Sequence, residues 1–129
     1  MAYPHDWGFV PGTRAGDGDP LDALVLSEGT TYPGLVIPCR PLGVVRLEQN
    51  RKQGGGRERN DRIIAVAASA PRHPLRSAAE LASRVREELE RFFLNVVFFE
   101  DKAPALLGWG DVAEAWQLVR ESQVATGKG

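Results

Sequence analysis

Sulfur chemistry has little to work with in this sequence: Cys39 is the one cysteine, so no disulfide framework can form within a chain. A lone thiol suits a reducing cytoplasm. Histidine is almost as scarce, and His5 and His73 lie too far apart to suggest a zinc-binding spacing, so both are read as surface residues. No stretch approaches the roughly 18 apolar residues of a membrane helix. The amino terminus has no basic segment followed by an apolar run. The expectation is a soluble, unexported, cytoplasmic protein with no membrane partner. A net charge of −1 supplies no strong field of either sign, which removes the global reason to expect nucleic acid or an anionic surface as partner. There is no internal repeat.

What is present is ordinary in amount and uneven in arrangement. The 129 residues, 43% apolar and 26% charged, fit a single domain over residues 1–129 with a real core. Residues 1–30 hold five acidic side chains against Arg14, while residues 40–62 hold seven basic ones against Glu48, Glu58 and Asp61. Short β-rich runs broken by Gly and Pro come first: Ala23 to Leu26, Leu35 to Cys39, Gly43 to Leu47 and Ile63 to Ala67. Between them "RKQGGGRERNDR" predicts a mobile, solvated loop. Helical spacing follows. Ser77 and Glu80 form a capping box ahead of Leu81, Val85, Leu89 and Phe92 or Phe93. A second helix starts at Asp111 with Glu114 at its third position, and Val112, Ala115, Trp116 and Val119 as its buried stripe. Trp109 and the phenylalanines of "FFLNVVFF" read as core. Strands first and helices later argue for an α+β fold.

Near the start, "DGDPLD" places Asp17, Asp19 and Asp22 around Pro20. Proline holds its own φ and pushes the preceding residue toward an extended conformation, so the three carboxylates share one defined turn at the start of a strand. Neighbouring carboxylates repel unless a cation lies among them. An EF-hand is excluded, because Pro stands at its fourth position and Asp where its glycine is needed. A polar turn and a metal or acid–base site both remain open on these residues.

The flanking sequence adds a likeness. "YPHDWGFVPGTRAGDGDPLDALVL" resembles the signature region of the soluble (family I) Mg-dependent inorganic pyrophosphatases, and "PGLVIPCRPLGVVRL", "DRIIAVA", "RFF" and "GWGDVAEAW" continue it in order over nearly the whole chain. The resemblance implies an OB-like distorted five-stranded β-barrel with two C-terminal helices, hydrolysing diphosphate with Mg2+. Carboxylates there hold several ions, and a shared water is activated to attack phosphorus. By position in the motif, Asp17 and Asp22 correspond to metal ligands, Asp19 to the carboxylate that helps activate the water, and Tyr3 to a tyrosine near phosphate. Arg62 replaces a lysine of the site.

The departures define the expected outcome. The sequence begins at "YP", whereas family members carry about fifty residues before it, with further active-site groups and early strands; the expectation is a truncated, divergent paralogue lacking those N-terminal strands. Gln49, with Glu48 beside it, and Asn60 stand at positions of family aspartates, Val96 and Val97 replace a tyrosine and a lysine, and Trp7 replaces a tyrosine. Asp61 should face away from Asn60 in an extended segment. The reading expects impaired catalysis and at most a weak, partial Mg2+ site, with pyrophosphate or phosphate as the small molecule. Two alternatives stand beside it: an active diphosphatase completed by another chain, and a non-catalytic oligomeric or nucleic-acid-binding module, disfavoured because the basic loop has no interleaved aromatics. A homo-oligomer is expected because missing strands would expose an unpaired sheet edge.

Overall fold

Residues 5–15, 18–26, 38–51, 54–67, 75–98 and 103–124 are described in the computed structural model, the side chains of 5–7 and 96–98 excepted. Tyr3, Asp17, His73, Phe99, the run Leu35 to Ile37 and the side chains of His5, Trp7, Val96, Val97 and Phe98 therefore lie outside the described residues. Runs rich in Val, Ile and Leu, bounded by Gly, Pro and Asn, become strands. These are β1 (His5–Val10), β2 (Leu21–Leu26), β3 (Cys39–Asn50), β4 (Arg57–Arg59), β5 (Arg62–Ala67) and β6 (Ala105–Gly110). They make one six-stranded sheet in the order β1-β2-β5-β3-β4, with β6 also paired to β3. β2 and β5 run parallel and the other pairs antiparallel. With α1 (Ser83–Phe98) and α2 (Val112–Ser122) the class is α+β. Among the described residues the sheet has six strands where five were expected, and their path is open.

Alternation along the strands sends neighbouring residues to opposite faces. Leu24, Leu26, Ile64, Val66, Val45 and Leu47 form one core cluster with Val85, Leu89 and Phe93 of α1. Leu21, Ala23, Ile63, Ala65 and Val44 form a second with Ala115 of α2. The middle strands are thus covered on both sides, which is why β2 and β5 read as nearly continuous apolar runs. The long β3 bends at two irregularities, one at Pro41/Gly43 against β5 and one at Arg46/Leu47 against β6. Pro41, which has no N–H to donate, sits at the first of these. Gly43 is required by close approach, since a Cβ there would lie 2.7 Å from the carbonyl oxygen of Gly110 and 2.9 Å from the Ala78 Cβ.

Three expectations are corrected. The Ser77–Glu80 capping box is present, Ser77 Oγ accepting from Ala79 N at 3.2 Å and Glu80 Oε1 from Ser77 N at 2.8 Å, but it closes a single 3-10 turn, Ala78–Glu80. Leu81 is extended and α1 begins at Ser83. Ala78 packs into the space above Gly43, so a tertiary contact holds this turn on the sheet apart from the helix. In α2, Asp111 caps as expected, accepting from Glu114 N at 2.8 Å. Trp116 is nevertheless 44% exposed, because the buried stripe centres on Ala115 and runs to Leu118 and Val119. A residue next to the stripe's centre is turned about 100° away. Lastly, the described part of "RKQGGGRERNDR" is a hairpin: Arg57–Arg59 pairs with Glu48–Asn50, and Arg57 bonds Glu48, Asn50 and the carbonyl of Ala103. Arg57, one of the arginines that suggested a solvated loop, finds acceptors on the neighbouring β3.

A candidate metal and phosphate site

The acidic turn lies between β1 and β2 and is pinned from both ends. Thr13 Oγ1 donates to the Val10 carbonyl at 2.6 Å and accepts from Leu21 N at 3.0 Å, clamping the turn's two stems. Ala15 N donates to the Asp19 carbonyl at 2.8 Å, and Gly18 N to that of Ala15 at 3.0 Å. Gly18 has φ +87°, a left-handed value that glycine adopts without strain. Bonds from Arg14 N to the Ser122 carbonyl, 2.7 Å, and from Val124 N to that of Gly12, 2.9 Å, tie the first stem to the end of α2. Asp19 is exposed, at the tip of this turn.

Asp22 is placed differently. It pairs with Phe9 across β1 and β2, and sits two residues before Leu24 on the face that carries the α1 core. Arg62 begins β5 on that same face, two residues before Ile64. Arg62 Nη1 donates to Asp22 Oδ2. The Arg62 side chain is 6% exposed and that of Asp22 27%, so a guanidinium and a carboxylate neutralise one another at the margin of the core. Beyond them on the same face, Asn60 Nδ2 donates to Gln49 Oε1 at 2.8 Å, and Gln49 Nε2 to Glu58 Oε2 at 3.4 Å. Gln49 and Asn60 are 1% and 6% exposed. Asp22, Arg62, Asn60 and Gln49 therefore make a polar row bordering the larger core cluster.

Asp61 belongs to the other side. Its Oδ1 accepts from Leu47 N at 3.2 Å and from Arg59 Nε at 3.0 Å, and its Oδ2 from Arg59 Nη2 at 2.7 Å. Close by, Arg46 grips Glu114 of α2 with two bonds of 2.6 Å, which holds the Glu114 carboxyl below the usual carboxylate range. These charges tie β3 to α2 and the β4–β5 link to β3, and leave the polar row opposite untouched.

A family profile described as inorganic pyrophosphatase matches residues 1–126. The chain belongs to the inorganic pyrophosphatase family. Among its relatives, the inorganic pyrophosphatase of Synechocystis sp. is 38% identical over 122 residues, spanning 94% of this chain and 69% of that protein. That of Halobacterium salinarum is 36% identical over 123 residues, spanning 94% and 66%. Among solved structures, an inorganic pyrophosphatase from Coxiella burnetii superposes with a TM-score of 0.79 at 31% identity, over 93% of this chain and 70% of that one. The OB-like α+β fold expected from the signature residues is the fold of these pyrophosphatases.

Of the sequence-derived site residues, Asp22 and Arg62 are brought together directly, Asp19 stands on the turn next to them, and Tyr3 and Asp17 lie outside the described residues. Among the described residues the donor set does not fit a centre of several Mg2+ ions. Magnesium is held through carboxylates and substrate oxygens, yet Asp22 is already ion-paired and the two inner positions are amides bonded to each other. Among the described residues no three His, Cys, Asp or Glu side chains converge on one point. Two features escape a reading of the sequence: the Asp22–Arg62 pair and the part played by Glu58. The first leaves a faint trace, since opposite charges stand at the heads of "DALVL" and "RIIAVA", but no local rule says that those strands are neighbours.

Proposed function

We propose that this pyrophosphatase-family protein hydrolyses diphosphate poorly, retaining the family's sheet and at most one weakly held Mg2+ at the turn of Asp17, Asp19 and Asp22. Asp19 is the remaining catalytic carboxylate in this reading, with Tyr3 and Arg62 as the remaining phosphate-facing side chains. The ion pair of Asp22 with the buried Arg62 guanidinium carries the argument. A carboxylate neutralised by an internal cation offers little to a divalent ion, and a guanidinium held by a carboxylate has less to offer a departing phosphate. Loss of one preorganised charge-stabilising group costs about 10²- to 10³-fold in rate. Phosphate release from pyrophosphate in millimolar Mg2+, run beside the Synechocystis relative, tests this. The expected kcat/KM is at least about 10²-fold below the relative's. Turnover equal to the relative's, abolished in Asp19→Asn, overturns the proposal.

A second observation supports self-association. β1 is paired with β2 alone among the described residues, and its Phe9 is 60% exposed. An unpaired strand edge next to an exposed ring is a surface that a second copy of the chain can cover. Light scattering at micromolar concentration is expected to give a dimer or larger, and Phe9→Lys a monomer. A monomeric wild type ends this reading.

A further inference from the structure

The contacts of Gln49 and Asn60 have a direction set by chemistry. A carboxylate only accepts hydrogen bonds, so Gln49 must turn its NH2 toward Glu58 and its carbonyl toward Asn60, and Asn60 must answer with its own NH2. Gln49 lies on β3, Glu58 on β4 and Asn60 in the link from β4 to β5, so this relay joins separate segments. Its outer end is a partly buried carboxylate and its two inner members are uncharged and buried. Two carboxylates at these inner positions, beside that of Glu58, would repel one another in a poorly solvated corner and would need a cation to remain there. The two amides need none, since each supplies what the other lacks.

We propose that the Asn60–Gln49–Glu58 relay stands in for a cation, so that this corner of the sheet is held by a directed side-chain hydrogen bond and is indifferent to divalent ions. The inference is separate from the hydrolysis reading. A chain that turned over diphosphate with an ion at the acidic turn would still have a cation-independent corner, and a catalytically poor one could still hold an ion at the corner. The amides differ from the corresponding acids by one group of similar size, so replacing Gln49→Glu and Asn60→Asp together puts three carboxylates where there is now one. The corner then has to recruit a cation or come apart.

Thermal unfolding of the full chain in the Asp17→Asn/Asp19→Asn background, where only the ion-paired Asp22 remains of the acidic trio, tests this with Mg2+ and Mn2+ as the probes. With the amides intact, the midpoint should be the same in EDTA and in millimolar Mg2+ or Mn2+, within about 2 °C. With both acids installed it should fall in EDTA by at least about 5 °C and recover saturably when either cation is added. A double variant that folds only with the cation supports the proposal equally. If the double variant folds under neither condition, Asn60→Asp alone decides, with a fall in EDTA and recovery by cation expected. A saturable cation-dependent rise with the amides intact overturns the proposal. So does an acid variant as stable in EDTA as its amide parent, or one whose lost stability no cation restores.

Discussion

Phe93→Ala is expected to lower the free energy of unfolding by about 3–5 kcal/mol, the largest effect of any single truncation in the α1 core. Phe93 is fully buried and closes the stripe Val85, Leu89 that seats α1 on the sheet. Its ring meets that of Phe92 edge-on, with centroids 5.7 Å apart at 67°. Truncation removes the transfer energy of the ring, leaves a cavity that a close-packed interior refills poorly, and forfeits the aromatic pair. Trp109 gives a second reason to expect a cooperative response, since it packs against the same cluster and its Nε1 donates to Glu90 of α1 at 2.7 Å. Urea unfolding followed by tryptophan fluorescence measures the loss, and Phe93→Leu should show a much smaller one. A Phe93→Ala protein within about 1 kcal/mol of wild type would mean that α1 does not depend on this contact for docking.

Asp22→Asn is the second large effect. The substitution keeps size and an acceptor oxygen, so packing is conserved and the change isolates charge. What remains is the Arg62 guanidinium, 6% exposed, without its carboxylate. Removing one member of a buried ion pair costs about 3–5 kcal/mol. Because the Asp22 side chain keeps 27% exposure and some solvent screening, a loss of about 3 kcal/mol is expected in urea unfolding. Adding Arg62→Met to Asp22→Asn should recover much of it, since an apolar side chain in that place removes the buried charge that Asp22 neutralised. If the double variant is no more stable than the single one, the pair is not the source of the cost. A fully stable Asp22→Asn would remove the physical basis for treating Asp22 as already engaged, and with it the main argument for weak catalysis.

Both effects bear on how the site works, because the side chains that the resemblance places near metal and phosphate border the core that Phe93 closes. Asp22 and Arg62 stand at the ends of strands whose next same-face residues, Leu24 and Ile64, are core. Any cation or phosphate at Asp22 must therefore compete with an interaction that also serves folding. On the opposite face, the pair of Arg46 with Glu114 is more exposed and carries no such competition.

Much of this was legible in the residues alone, and the unreadable part has a common cause. The signature around "DGDPLD", the strands Ala23 to Leu26 and Ile63 to Ala67, the Asp111 cap and the Val85–Leu89–Phe93 stripe depend on chemistry within a few positions of one another, so local order determines them. Gln49 and Asn60 could be picked out one at a time as amides in places where the resemblance expects acids. That they bond to each other, that Arg62 reaches Asp22 forty residues away, that "RKQGGGRERNDR" folds back through Arg57 onto Glu48, and that Trp116 turns outward were decided only by the tertiary arrangement. Those contacts need strands from distant parts of the chain laid side by side in one register, and a hydrogen bond or ion pair has no energy to offer until that register exists.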